Sequence, residues 1–132
     1  MTDPLPEIQD KHDLASAQRL VKLGYPDVAA YLPVMLEWIQ DINWPVARIL
    51  APFLASVGAP MIPHLWCVLR SDDQIWKYWC ISEVIAHMEP VCQQAFSAEL
   101  MRLRDHPLDC ERDEGLHELA GEILQTIPIE DI

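Results

Sequence analysis

Apolar residues recur at helical spacing along almost the whole chain. Val46, Ile49, Leu50, Phe53, Leu54 and Val57 follow the i, i+3, i+4, i+7 pattern, as do Leu116, Leu119, Ala120, Ile123, Leu124 and Ile127. Each set predicts an amphipathic helix with one buried stripe. By contrast, Ile75, Trp76, Trp79, Cys80, Ile81, Val84, Ile85 and Met88 occupy most of a helix circumference. That pattern predicts a central helix covered on several sides and buried best of all. Spacing and punctuation together predict helices over 13–23, 27–41, 44–57, 60–70, 72–88, 90–105 and 110–127.

The punctuation supports these divisions. Asp13 can cap a helix that ends before Gly24, and Asn43 ahead of Trp44-Pro45 supplies an acceptor with proline in the first turn, where no N–H is needed. Ser71 and Gln74 have capping-box spacing, and Gly58 followed by Pro60 stops a helix. Pro52 removes the bond to the Arg48 carbonyl and predicts a bend, the alternative being a break into two short helices. No Asn-Gly or Asp-Gly turn joins alternating runs, so no hairpin of strands competes.

A weak repeat is also present. Leu32-Pro33 with Leu36 and Ile39 returns as Ile62-Pro63 with Trp66 and Leu69, and Pro90 opens a third helix at similar spacing. The fold class expected is therefore all-α: a superhelix of HEAT-like antiparallel hairpins, about seven helices in all. They form a single domain over 1–132, with 1–12 as an N-terminal extension and 128–132 as a tail.

Charge narrows the partners. A net charge of −12, from 21 carboxylates against 9 Lys and Arg, disfavours a phosphate backbone and favours a basic protein partner. The charge is uneven: residues 109–132 carry eight acids and one Arg, whereas 42–71 carry Arg48 and Arg70 and no acid. The acid-free stretch is broken by prolines 45, 52, 60 and 63 and reads as core, not as a membrane span. Met1-Thr2-Asp3-Pro4 lacks the basic and apolar start of a signal peptide, so a cytoplasmic location is expected. Cys67, Cys80, Cys92 and Cys110 form no Cys-x-x-Cys pair, which predicts free thiols, mostly buried.

Residue patterns that could carry chemistry are few. Glu114 and His117 at i, i+3, with Glu118 and Glu122 following, resemble half of a carboxylate metal site, but no second Glu-x-x-His helix exists. An acidic solvated face explains them. Lys77 and Cys80 are the nearest approach to an activated thiol, and no phosphate loop or nucleophile elbow occurs. No catalytic residue, metal or cofactor is expected. The five tryptophans are more informative: they either pack between hairpins or, where one or two stand partly exposed at a ridge, serve as binding anchors. The expected partner-binding residues are Asp41, Asn43, Trp44, Asp72, Asp73, Trp76 and Lys77, with Glu111, Asp113, Glu114 and Glu118 on the acidic final hairpin.

Three runs carry a family likeness: Lys11-His12-Asp13, then Leu36-Glu37-Trp38-Ile39-Gln40-Asp41-Ile42-Asn43-Trp44-Pro45-Val46-Ala47, then Trp76-Lys77-Tyr78-Trp79. The sequence resembles the bacterial family called domain of unknown function 5071 from about Ile8 to Leu124. The resemblance implies a helical HEAT-like fold and brings no reaction with it. The reading that follows is a non-enzymatic protein-binding module, of the kind in which an immunity-type protein neutralises a basic toxin. Its rivals are a DNA glycosylase-like helical-repeat enzyme, which would need a basic lining from Arg48, Arg70 and Lys77, and a self-associating scaffold.

Overall fold

A computed structural model describes residues 6–127, and every regular element among them is helical. The α-helices are α1 (Leu14–Leu23), α2 (Leu32–Glu37), α3 (Pro45–Val57), α4 (Ile62–Leu69), α5 (Gln74–Glu83), α6 (Pro90–Gln93), α7 (Ser97–Asp105), α8 (Asp109–Asp113) and α9 (Leu116–Thr126). Short 3-10 turns adjoin several of them, at Ala29–Tyr31, Trp38–Gln40, Ala59–Met61, Ile85–His87 and Gln94–Phe96. The expected tail at 128–132 and the first five residues of the extension lie outside the described residues.

Local chemistry sets the boundaries. Asp13 caps α1, accepting from the Ser16 amide at 3.2 Å, and Gly24 ends it with φ 73°. Gly58, at φ 79°, ends α3 as expected. The α3 helix runs unbroken through Pro52, so the alternative of two short helices does not occur. Arg48 and Pro52 are both exposed, where the carbonyl that proline leaves unpaired can be solvated.

Several expectations about boundaries and caps are corrected. The helix expected from residue 72 starts at Gln74, because Asp73 is its cap, accepting from the Trp76 amide at 3.0 Å. Ser71 donates to the Val68 carbonyl instead, at 2.6 Å. The same helix ends at Glu83 rather than continuing to 88, and the buried amide of Gln93 donates to the Ile85 and Ala86 carbonyls just beyond it. The helix expected over 110–127 is two, α8 and α9, divided by Gly115 at φ 77°. The helix at 90–105 is likewise divided into α6 and α7 by a 3-10 turn. Finally, Asp41 and not Asn43 supplies the acceptor ahead of α3, taking the Asn43 amide at 2.9 Å.

One continuous core runs through the described residues, including Leu20, Met35, Leu50, Leu54, Leu65, Ile81, Phe96, Leu103 and Leu116. Helix α3 contributes six buried side chains, and α5 three, one of them Lys77. The helix that gives most side chains to the core is therefore α3 rather than α5, and Trp76 and Trp79 are only half-buried at the edge of the core. The most extensive pairings are α7 with α9 and α1 with α3, while α5 lies against the Trp38–Gln40 turn and α9. The extension is tied in: Ile8 packs on the core, and the Lys11 carbonyl accepts from the Val46 amide at 3.2 Å, serving an otherwise orphan donor of α3.

Candidate functional site

The α5–α9 pairing leaves a groove of about 300 Å³ lined by Ile75, Tyr78 and Trp79 on α5 and by Glu114, Gly115, Glu118, Leu119 and Glu122 on the other side. Sequence spacing explains the lining. Ile75, Tyr78 and Trp79 fall at i, i+3 and i+4, and Glu118 and Glu122 at i and i+4, so each set shares one helix face. Gly115 breaks the helix and sets Glu114 beside them. A methyl group added at Gly115 would meet Tyr78 only at 4.0 Å, so the glycine serves the backbone turn rather than the space.

The groove joins apolar and anionic walls. Tyr78 and Trp79 stand edge to face, centroids 5.2 Å apart and planes at 89°, and Ile75 is 52% exposed. Glu114, Glu118 and Glu122 are exposed carboxylates, and the lining contains no cation among the described residues. Such a wall suits a positively charged group carried on an apolar stem.

A second cavity, about 560 Å³, lies between α4–α5 and α7–α8. At its floor Glu111, 1% exposed, accepts from Arg102 Nη2 at 2.7 Å and Nη1 at 3.1 Å and from the Leu108 amide at 2.7 Å. Arg102 also donates to Glu99, from Nε at 2.8 Å and Nη2 at 2.9 Å. Lys77 Nζ stands 3.6 Å from Glu111 Oε2. Burial pushes the Glu111 carboxyl up, but the hydrogen bonds from Arg102 and Leu108 and the charges of Arg102 and Lys77 outweigh it and hold the carboxyl below its ordinary value. The Arg102 guanidinium is raised in turn, by Glu99 first and then Glu111.

The structure divides the residues expected to bind a partner. Glu114 and Glu118 are brought into the groove, and Asp113 is exposed nearby in sequence. Lys77 and Glu111 are corrected: they are buried against each other and offer no free surface charge. Trp76 is half-buried with its indole N–H donating to the Leu36 carbonyl at 3.0 Å, so that donor is already used. Asp73 caps α5, and Asp72 is exposed on the second cavity. Asp41, Asn43 and Trp44 belong to the turn before α3, where Trp38 and Trp44 pack edge to face at 5.8 Å, and they line neither cavity.

Sequence reasoning left Ile75, Tyr78, Trp79 and Glu122 out of the binding set. The signal was available in the i, i+3, i+4 spacing beside the acidic i, i+4 row. Arg102 and Glu99 carried only the ordinary mark of a helix-surface ion pair.

Other chemistry is sparse. No group of three His, Cys, Asp or Glu side chains could hold a metal ion among the described residues. All four cysteines are free; Cys80 and Cys92 are buried, whereas Cys67 and Cys110 are exposed, against the expectation that most are buried. Burial raises the Cys80 thiol well above its ordinary value, with Asp73 adding to the shift. Of the three cations available to a nucleic-acid groove, Lys77 is buried and Arg70 lies over the Trp66 ring at 5.2 Å. No single described helix is long and apolar enough to cross a membrane.

No curated protein matches the chain. The sequence profile described as Domain of unknown function (DUF5071) matches residues 7–124, and the chain belongs to that family.

Proposed function

We propose that the chain is a non-enzymatic protein-binding module that receives a basic partner on the α5–α9 groove. The observation that carries this reading is the groove's make-up: three carboxylates, two perpendicular aromatic rings and an exposed isoleucine, without a cation among them. A Lys or Arg side chain matches both walls, its stem lying on Ile75 and Trp79 and its charge on the glutamates. The net charge of −12 adds long-range attraction for such a partner. The biological form that fits is an immunity-type protein covering the active site of a basic toxin. A HEAT-like stack of helix pairs is supported by pairings that skip one helix, α1 on α3 and α7 on α9, beside the adjacent α2–α3 and α4–α5 contacts.

The test is binding to the purified product of the adjacent gene, followed by stopped flow across a salt series. The association rate is expected to fall with salt, and a variant carrying Glu114→Gln, Glu118→Gln and Glu122→Gln to associate roughly tenfold more slowly at low salt. Binding that ignores both salt and the triple substitution would overturn the groove as the docking face. No binding to that product would remove the immunity-type form.

A further inference from the structure

A third cavity, about 570 Å³, separates α3 from the end of α5 and the Ile85–His87 turn that follows it. Arg48, Ala51, Pro52, Ala55 and Ser56 recur at i, i+3, i+4, i+7 and i+8, so one face of α3 forms one wall, and Glu83 and His87 form the other. The two opposite charges on this lining are open to solvent and do not satisfy each other. Arg48 is exposed and makes no hydrogen bond or ion pair among the described residues. Glu83 keeps 34% of its side chain exposed, and its ionic neighbour His87, at 4.0 Å and 63% exposed, leaves the carboxylate accessible. Pro52 has no N–H for the Arg48 carbonyl, which adds a backbone acceptor on the same helix face.

Opposite charges on one cavity that do not meet select a molecule that carries both. A guanidinium is matched by a carboxylate, which takes two parallel hydrogen bonds, and a carboxylate by an ammonium. An ion of one sign would be attracted by one wall and repelled by the other. The rest of the lining is largely apolar: Ala51 and Ala55, 3% and 6% exposed, lie beside Ile42 and Pro52, and their small side chains leave space for an apolar group. The volume is in the range of small-molecule sites, roughly 300–1,000 Å³.

We propose that this cavity binds a free α-amino acid with an apolar side chain, its carboxylate on the Arg48 guanidinium, its ammonium on the Glu83 carboxylate and its side chain against Ala51, Pro52 and Ala55. The inference is independent of the partner groove, since the two cavities share no lining residue.

The test is a set of amide-resolved NMR titrations of the full chain with L-leucine, L-phenylalanine, the N-acetyl and amide derivatives of each, and glycine. The expected result is saturable shifts from leucine or phenylalanine, confined to segments 42–56 and 83–87, which contain the lining. Each derivative lacks one of the two charges and glycine lacks the apolar group, so each should bind about tenfold more weakly than the parent amino acid. Arg48→Gln should abolish the advantage of the amino acid over its amide, and Glu83→Gln its advantage over the N-acetyl form, a pairing of substitution with ligand group that a merely structural role would not produce. Arg48 is exposed and Glu83 partly so, and both variants should keep the spectrum of a folded protein. The proposal is overturned if neither amino acid gives saturable shifts at these residues, if a derivative or glycine binds as tightly as the parent, or if either substitution leaves the preferences unchanged.

Discussion

Glu111 and Glu118 lie seven residues apart in the same acidic segment and have opposite fates. Glu111 is 1% exposed, bound by Arg102, Lys77 and the Leu108 amide; Glu118 is exposed on the partner groove. The difference arises from what each helix faces. Helix α8 points Glu111 into the angle where α5 and α7 bring cations together, whereas α9 turns Glu118 toward Tyr78 and Trp79, which carry none. In a chain of net charge −12, the sign of a side chain therefore says little about whether it serves the fold or the surface. Glu111→Ala tests the contrast most severely. It strands Lys77 without its counter-charge and is expected to cost about 3 kcal/mol in urea unfolding. A loss no larger than that of Glu118→Gln would break the comparison.

The same contrast has a pH signature. Burial raises the Glu111 carboxyl, but Arg102, Leu108 and Lys77 bring its folded value below the ordinary 4.5. A carboxyl with a depressed folded value gives stability that is fully present above the unfolded value and is lost as pH falls through the folded one. Acid unfolding below about pH 4.5 should therefore contain a Glu111 contribution. Unfolding free energy measured against pH should have a shallower acid limb in Glu111→Gln, and an unchanged limb would show that the cations do not hold the carboxyl down.

Trp76 is next in expected effect. Its half-buried ring joins α5 to α2 through the 3.0 Å bond to the Leu36 carbonyl. Trp76→Phe keeps most of the aromatic surface and removes the donor, so a loss of roughly 1–2 kcal/mol by denaturant titration is expected. If instead Trp76 were a partner anchor with little structural duty, Trp76→Phe would leave stability intact and weaken partner binding.

Much of the all-helical order was legible in the chain because apolar spacing and strong punctuation agree. Asp13, Gly24, Gly58 and Pro45 each act where their local chemistry demands. What stayed hidden depends on contacts distant in sequence. Nothing local distinguishes Asp73 from Ser71 as the cap of α5, and nothing in residues 72–88 reveals that Gln93 will take the carbonyls beyond Glu83. The site divides the same way. Glu114 and Glu118 were readable as an exposed acidic face, but the Lys77–Glu111–Arg102 set joins three helices across 25 and 34 positions, counted from Lys77 to Arg102 and Glu111. No spacing rule reaches that far.

Gly115 is legible as a break, because the apolar stripe begins only after it, at Leu116, while residues 109–114 are mostly charged. At φ 77°, with nothing nearer than Tyr78 at 4.0 Å, Gly115→Ala should cost about 1 kcal/mol through the backbone alone. A much larger loss in thermal or urea unfolding would mean that the α8–α9 corner is closed by packing that the glycine's open surroundings do not show.

Glu118→Gln should have the smallest effect on folding, within about 0.5 kcal/mol of the parent, because an exposed carboxylate exchanges one solvated polar group for another. Its His117 neighbour at 3.7 Å adds little at a site so open to water. Its value lies in combining two measurements on one variant. Unchanged urea unfolding together with a slower, less salt-sensitive association with the basic partner would place Glu118 in recognition alone. Lowered stability would instead extend the structural role of Glu111 along the segment, and the groove would lose its claim to be a surface kept free for a partner.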